Sequence, residues 1–137
     1  MALVRVGCAL LAAVNLWWGV WARFAPRHFY DTFPGFGHQW ATAYPPYNEH
    51  LVTDLGATFL TLGVLLAIGA ALPDRRVRWT VLAGVFVFNA LHFSFHLTNH
   101  GTMAGFDLGT SLATLVAGVI APIVLAGLDL LAVQKGR

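Results

Sequence analysis

The sequence predicts an all-α integral membrane fold, a four-helix bundle with both termini cytoplasmic. Three observations carry this. The chain is 58% hydrophobic and only 10% charged, with a mean hydropathy of +0.68, whereas a soluble domain carries roughly a quarter charged residues. Its apolar residues gather in four runs of about the 20 residues that cross a hydrocarbon core. The basic residues segregate to alternate connections between those runs, as the positive-inside rule requires.

The 137 residues suit a single transmembrane domain, with helices over 2–22, 51–72, 79–98 and 107–133 and one long connection, 23–50. The first run follows Arg5 and carries Trp17, Trp18 and Trp21. It is longer and more aromatic than a signal-peptide core, so it is expected to be retained. Short loops, PDRRVR and NHGTMAGF, join the second run to the third and the third to the fourth. Arg5, Arg75, Arg76, Arg78, Lys135 and Arg137 share one side of this topology, with Arg23 and Arg27 on the other. The expected location is therefore the cell membrane, multi-pass, with the long loop facing outward. Small residues at four-residue spacing, Gly63 with Ala67 and Ala113 with Ala117 and Ala121, suit close helix packing. Pro122 is expected to kink the last helix.

Composition also excludes function classes. A net charge of +2 is too small for a nucleic-acid binder, and one cysteine, Cys8, allows neither an intrachain disulfide nor a CxxC pair.

With this topology every histidine falls in the outer half. His28 and His38 lie in the long loop, His50 begins the second helix, and His92, His96 and His100 climb the third. Asp31, Glu49, Asp54 and Asp107 join them. At about 100° per residue, Asn89, His92, His96, Asn99 and His100 share one face. So do His50, Asp54, Thr58 and Thr61, and likewise Asp107, Thr110, Ser111 and Thr114. Polar stripes on membrane helices turn toward one another, because ionisable groups facing hydrocarbon are costly.

HxxxD on one helix and HxxxH on the next supply imidazoles and carboxylates at the i, i+4 spacing of metal ligands. The expected site is His50, Asp54, His92 and His96, binding zinc, copper or iron and open to redox chemistry or a metal-activated water. Haem b is the alternative cofactor, with His50 and either His92 or His96 as axial ligands. The competing interpretation is hydrogen bonding between helices. Glu49 and Asp107 sit at helix starts, where carboxylates favour the dipole, and each could orient a ligand. Asn89, His100, His28 and His38 are further supporting or lid candidates, because the aromatic loop RFAPRHFYDTFPGFGHQWATAYPPYNEH could fold over the site or anchor at the interface. A proton-exchanging binding or transport protein is a second reading. It predicts a homo-oligomer, four helices being few for transport. An accessory subunit of a larger membrane complex is a third. No catalytic residue is assigned.

The segments FYDTFPGFG, PYNEHLVTDLGA and LHFSFHLTNH together resemble a family of small bacterial four-helix membrane proteins. The resemblance covers most of the chain; it implies the four-helix fold and carries no activity across. Size and helix count are more distantly similar to DoxX-like membrane proteins. A quinone-reducing disulfide enzyme is not resembled, because the paired cysteines are absent.

Overall fold

A computed structural model describes residues 2–134; Lys135 and Arg137 lie outside the described residues. The chain forms α1 (Ala2–Phe24), α2 (Pro26–Thr32), a hairpin of β1 (Pro34–Gly35) and β2 (His38–Gln39), a 3-10 turn (Ala41–Ala43), then α3 (Glu49–Ala71), α4 (Arg75–Thr98) and α5 (Gly105–Gln134). Four helices, α1, α3, α4 and α5, are long and apolar enough to cross a membrane. At 1.5 Å per residue the 23 residues of α3 span about 34 Å, against about 30 Å of hydrocarbon.

Capping extends α3 and α4 beyond the apolar runs. Asn48 accepts a hydrogen bond from the Leu51 amide at 3.2 Å, starting α3 two residues before its apolar stretch. Asp74 accepts from the Arg76 amide at 2.7 Å and draws three arginines into α4. Short polar acceptors satisfy amides that a helix start leaves open.

The helices run up and down. Arg5, near the start of α1, donates to the Ala70 and Ala71 carbonyls at 2.7 and 2.9 Å, closing the C-terminal end of α3 with a cation where the dipole is negative. α1 and α3 are the most intimate pair. A Cβ on Gly56 would stand 2.5 Å from the Arg23 amide nitrogen, and one on Gly19 would stand 2.7 Å from that of Leu60. Gly63 meets Leu16 in the same seam, so this glycine performs the packing its spacing suggests. The alanine stripe of α5 has a different environment: Ala113, Ala117 and Ala121 line an open groove with Gly7 of α1.

The two halves of the bundle are filled differently. At the end holding the arginines, Val4, Cys8, Ala12, Leu62, Leu66, Val81, Leu82, Val85 and Leu125 form the aliphatic core. Beside it, Asp129 and Arg78 are both fully buried. The Asp129 carboxylate accepts from Arg78 Nη2 at 2.9 Å and Trp79 Nε1 at 3.0 Å, with Arg75 Nε 3.2 Å away. These arginines, expected only as topology signals, thus also bind α4 to α5. At the opposite end the filling is aromatic: Trp18 meets Phe59 and Phe33, and Phe59 meets Phe88.

Residues 26–48 cap the aromatic end. Phe29 and Tyr30 of α2 are buried, Phe29 stacks on Phe33 at 4.5 Å, and Trp21 packs edge-on against Phe29. The hairpin pairs Pro34 with Gln39 and Gly35 with His38. Gly101, with φ +58, lets the α4–α5 loop lie directly against the Ala43 carbonyl, which accepts from the Thr102 amide at 3.0 Å. The long connection is therefore folded down onto the bundle.

Candidate functional site

The polar groups at the capped end fall into separate sets. His92 and His96, four residues apart, project from one face of α4, with ring centroids 4.6 Å apart at 68°. The Phe88 ring stacks on His92 at 5.5 Å and 12°, and Phe95 packs edge-on to His96. Phe88 in turn touches Phe59, so the imidazoles lie over the aromatic filling of the bundle, both partly buried.

Tyr44 of the cap closes over this pair. Its hydroxyl lies 2.7 Å from His96 Nδ1 and donates to the Asn99 carbonyl at 2.9 Å. A hydroxyl has one proton to give, so with that proton on Asn99 the imidazole is the donor and the tyrosine oxygen the acceptor. His96 therefore carries its proton on Nδ1 and keeps the Nε2 lone pair. Burial pushes the Tyr44 phenol above its ordinary value of 10.0, which keeps it a neutral donor. His92 has ring contacts and, among the described residues, no hydrogen bond to its nitrogens.

A second set joins the hairpin to α5. His38 Nδ1 lies 2.6 Å from Asp107 Oδ1, and Trp40 Nε1 donates to the same oxygen at 3.3 Å. Phe106 lies beside the His38 ring. Asp107 is thus both the first-turn acid of α5 and the acceptor that ties down the hairpin. Elsewhere in the cap, Trp21 Nε1 donates to His28 Nδ1 at 2.8 Å, and Arg27 pairs with Asp31 at 2.7 Å. That bond raises the Arg27 guanidinium above its ordinary value.

The third set is His50 and Asp54, 3.4 Å apart on α3, with side chains 82% and 62% exposed. They lie on the outside of the bundle, whereas His92 and His96 contact its interior. The four residues expected as one ligand set are not gathered together. Among the described residues no three His, Cys, Asp or Glu groups are placed to hold a metal ion. The reason is rotational: α3 turns Gly56 and Gly63 toward α1 and Leu62 and Leu66 into the core, and this leaves the His50 stripe facing out.

The remaining candidates have local roles. Glu49 is exposed in the first turn of α3. His100 Nε2 donates to the Leu97 carbonyl at 3.1 Å. Asn89 donates to the Val85 carbonyl at 2.8 Å, and its carboxamide oxygen stands over Gly118, which makes it a contact between α4 and α5. Sequence reasoning missed Tyr44 and Trp40, because a nonhelical loop offers no periodicity to register them against α4 and α5. It also missed the Arg78–Asp129 pair, for which there was a signal: a carboxylate within an apolar helix implies a cation at the same depth.

Fold and composition together define a multi-pass helical membrane protein with a folded, histidine-bearing cap over one end. Comparison with family models, curated protein sequences and solved structures finds no match.

Proposed function

We propose that this protein binds a transition metal through His92 and His96, beneath the Tyr44 cap, at the outward face of the cell membrane. The carrying observation is the imidazole pair itself. The two rings share one helix face 4.6 Å apart, one has its Nδ1 engaged by Tyr44, and the other has no hydrogen bond among the described residues. A ligating histidine commonly has its second nitrogen held in this way, which fixes the tautomer and aims the lone pair. Two imidazoles at i, i+4 make a chelate that leaves coordination positions open for a substrate or water, as metal chemistry needs. Zinc, copper and iron accept such nitrogen donors. A haem b would take imidazoles from two helices, and the outward position of His50 favours the open metal site over it.

The orientation follows from charge. Arg5, Arg75, Arg76 and Arg78 belong to one end of the bundle, and by the positive-inside rule that end faces the cytoplasm. The cap and His92 then face outward.

The test is metal content and absorption of protein purified without a histidine tag. About one metal per chain in the wild type, lost in His96→Ala and His92→Ala but kept in His50→Ala, supports the reading. A Soret band would replace the open site by haem. Protein that stays metal-free after reconstitution with each of the three metals overturns both.

A further inference from the structure

The hairpin of the cap turns on a residue poorly suited to the turn. Gly35 pairs with His38, which leaves Phe36 and Gly37 as a two-residue turn with φ +57 and +86. Positive φ at both central positions marks a type I′ turn, whose first position is normally Asn, Asp or Gly. A bulky side chain there crowds its own backbone. Phe36 occupies it nonetheless, and its ring is fully exposed. A Cβ built on Gly35 or Gly37 would meet nothing within 4 Å, so the tip stands clear of the bundle. The backbone is thus strained to present an apolar ring that packs on nothing among the described residues, and strain held in this way points to a contact outside the chain.

The position of the tip identifies what that contact is. His38, just past the turn, is tied to Asp107 at 2.6 Å, and its ring lies beside Phe106. Both belong to the first turn of α5, where that helix begins its apolar span. Phe36 is two residues, at most about 7 Å of chain, from this tie. Exposed apolar side chains mark the same level on the other helices: Phe24 ends α1, Leu51 lies in the first turn of α3 and Leu97 in the last turn of α4. Phe106 is exposed with them. The side chains of Pro34, Gly35, Phe36 and Gly37 carry neither charge nor hydrogen-bonding group. They offer a protein partner no polar contact to recognise, whereas the boundary between headgroups and acyl chains accepts apolar rings to a depth of roughly 5–10 Å.

We propose that the Phe36 ring inserts into the lipid leaflet at the capped end, so that the cap is anchored to the membrane as well as to the bundle. This rests on the membrane-spanning reading of the helices and is independent of metal at His92 and His96. The full chain, with Cys8 replaced by alanine, is given one cysteine at Phe36, at Leu10 on the exposed face of α1 or at Arg27 in the cap. Each is spin-labelled and reconstituted into vesicles of phosphatidylcholine and phosphatidylglycerol, and collisions with oxygen and with a water-soluble nickel chelate are compared. The label at 36 should favour oxygen, as at Leu10 and unlike Arg27. Leu10 reports the span itself, so a failure of the membrane-spanning reading shows there. A label at 36 that the chelate reaches as readily as at Arg27 overturns the proposal. So does one shielded from both reagents, which would mean that protein covers the tip. The native ring is tested by Phe36→Asn in the otherwise wild-type chain, read as exchange of the Trp40 amide, which donates to the Phe33 carbonyl at 2.7 Å and closes the hairpin. Asn is the better turn residue, so with an idle ring the substitution would slow exchange. Loss of a lipid anchor should instead speed exchange in vesicles by about threefold or more; exchange that is slowed or unchanged overturns the proposal.

Discussion

Replacing Asp129 by alanine removes the counter-charge from a fully buried arginine. The carboxylate has no solvent exposure and receives Arg78 Nη2 at 2.9 Å and Trp79 Nε1 at 3.0 Å, with Arg75 Nε at 3.2 Å. Breaking a buried pair from one side costs about 3–5 kcal/mol, because the surviving charge keeps its desolvation penalty. Arg78 also reaches the Leu72 carbonyl at 3.5 Å, and Arg75 is partly exposed, so a loss of about 3 kcal/mol is expected. Reversible unfolding in mixed micelles, followed by far-UV circular dichroism, measures it. The double variant Arg78→Met/Asp129→Leu separates a stranded charge from a lost attraction. Apolar residues of similar size at both positions should return stability to within about 1 kcal/mol of wild type. A single variant that unfolds within about 0.5 kcal/mol of wild type would refute the ion cluster as the tie between α4 and α5.

Other perturbations test other joints of the structure. Gly56→Ala puts a methyl against the Arg23 backbone, which cannot rotate away as a side chain can; α1 and α3 must separate, and a loss of about 2 kcal/mol or more in the same unfolding assay is expected. Tyr44→Phe deletes the hydroxyl shared by His96 and Asn99 and should cost about 1–2 kcal/mol, seen as faster amide exchange across residues 40–47 with the transmembrane helices unchanged. The same hydroxyl sets a pH limit. Its folded value is raised above 10.0, so its contribution is complete below that pH and lost as pH rises through the raised value; amide exchange in the cap should accelerate there, and less so in Tyr44→Phe, where the Tyr47 phenol, also raised by burial, still titrates. Arg5→Ala uncovers the Ala70 and Ala71 carbonyls and should destabilise the protein by about 0.5–1 kcal/mol.

What the sequence made legible is what hydropathy and period encode. Four spans, the stripe on α4 and the close seam at Gly63 follow from apolar run length and 3.6-residue geometry, and each has its counterpart in the structure. The caps at Asn48 and Asp74 start α3 and α4 ahead of the apolar runs, at residues 49 and 75 where hydropathy alone places the starts at 51 and 79. The facing of stripes was not legible. HxxxD and HxxxH each put their side chains on one helix face, but whether those faces meet depends on how each helix is rotated. Gly56 and Gly63 set that rotation for α3 by giving α1 its close approach. The cap was hidden for a related reason: nothing in RFAPRHFYDTFPGFGHQWATAYPPYNEH pairs Tyr44 with His96 or His38 with Asp107, contacts separated by 52 and 69 residues. The aromatic content of the loop left folding onto the bundle and anchoring at the interface equally open.

The proposal of an imidazole chelate at His92 and His96 is tested most directly by X-ray absorption at the metal edge on tagless protein. The expected spectrum shows scattering from two imidazole rings at about 2.0–2.1 Å, lost with the metal in His92→Ala and in His96→Ala and unchanged in His50→Ala. A metal bound without imidazole scattering, or a signal indifferent to His92 and His96, would contradict it.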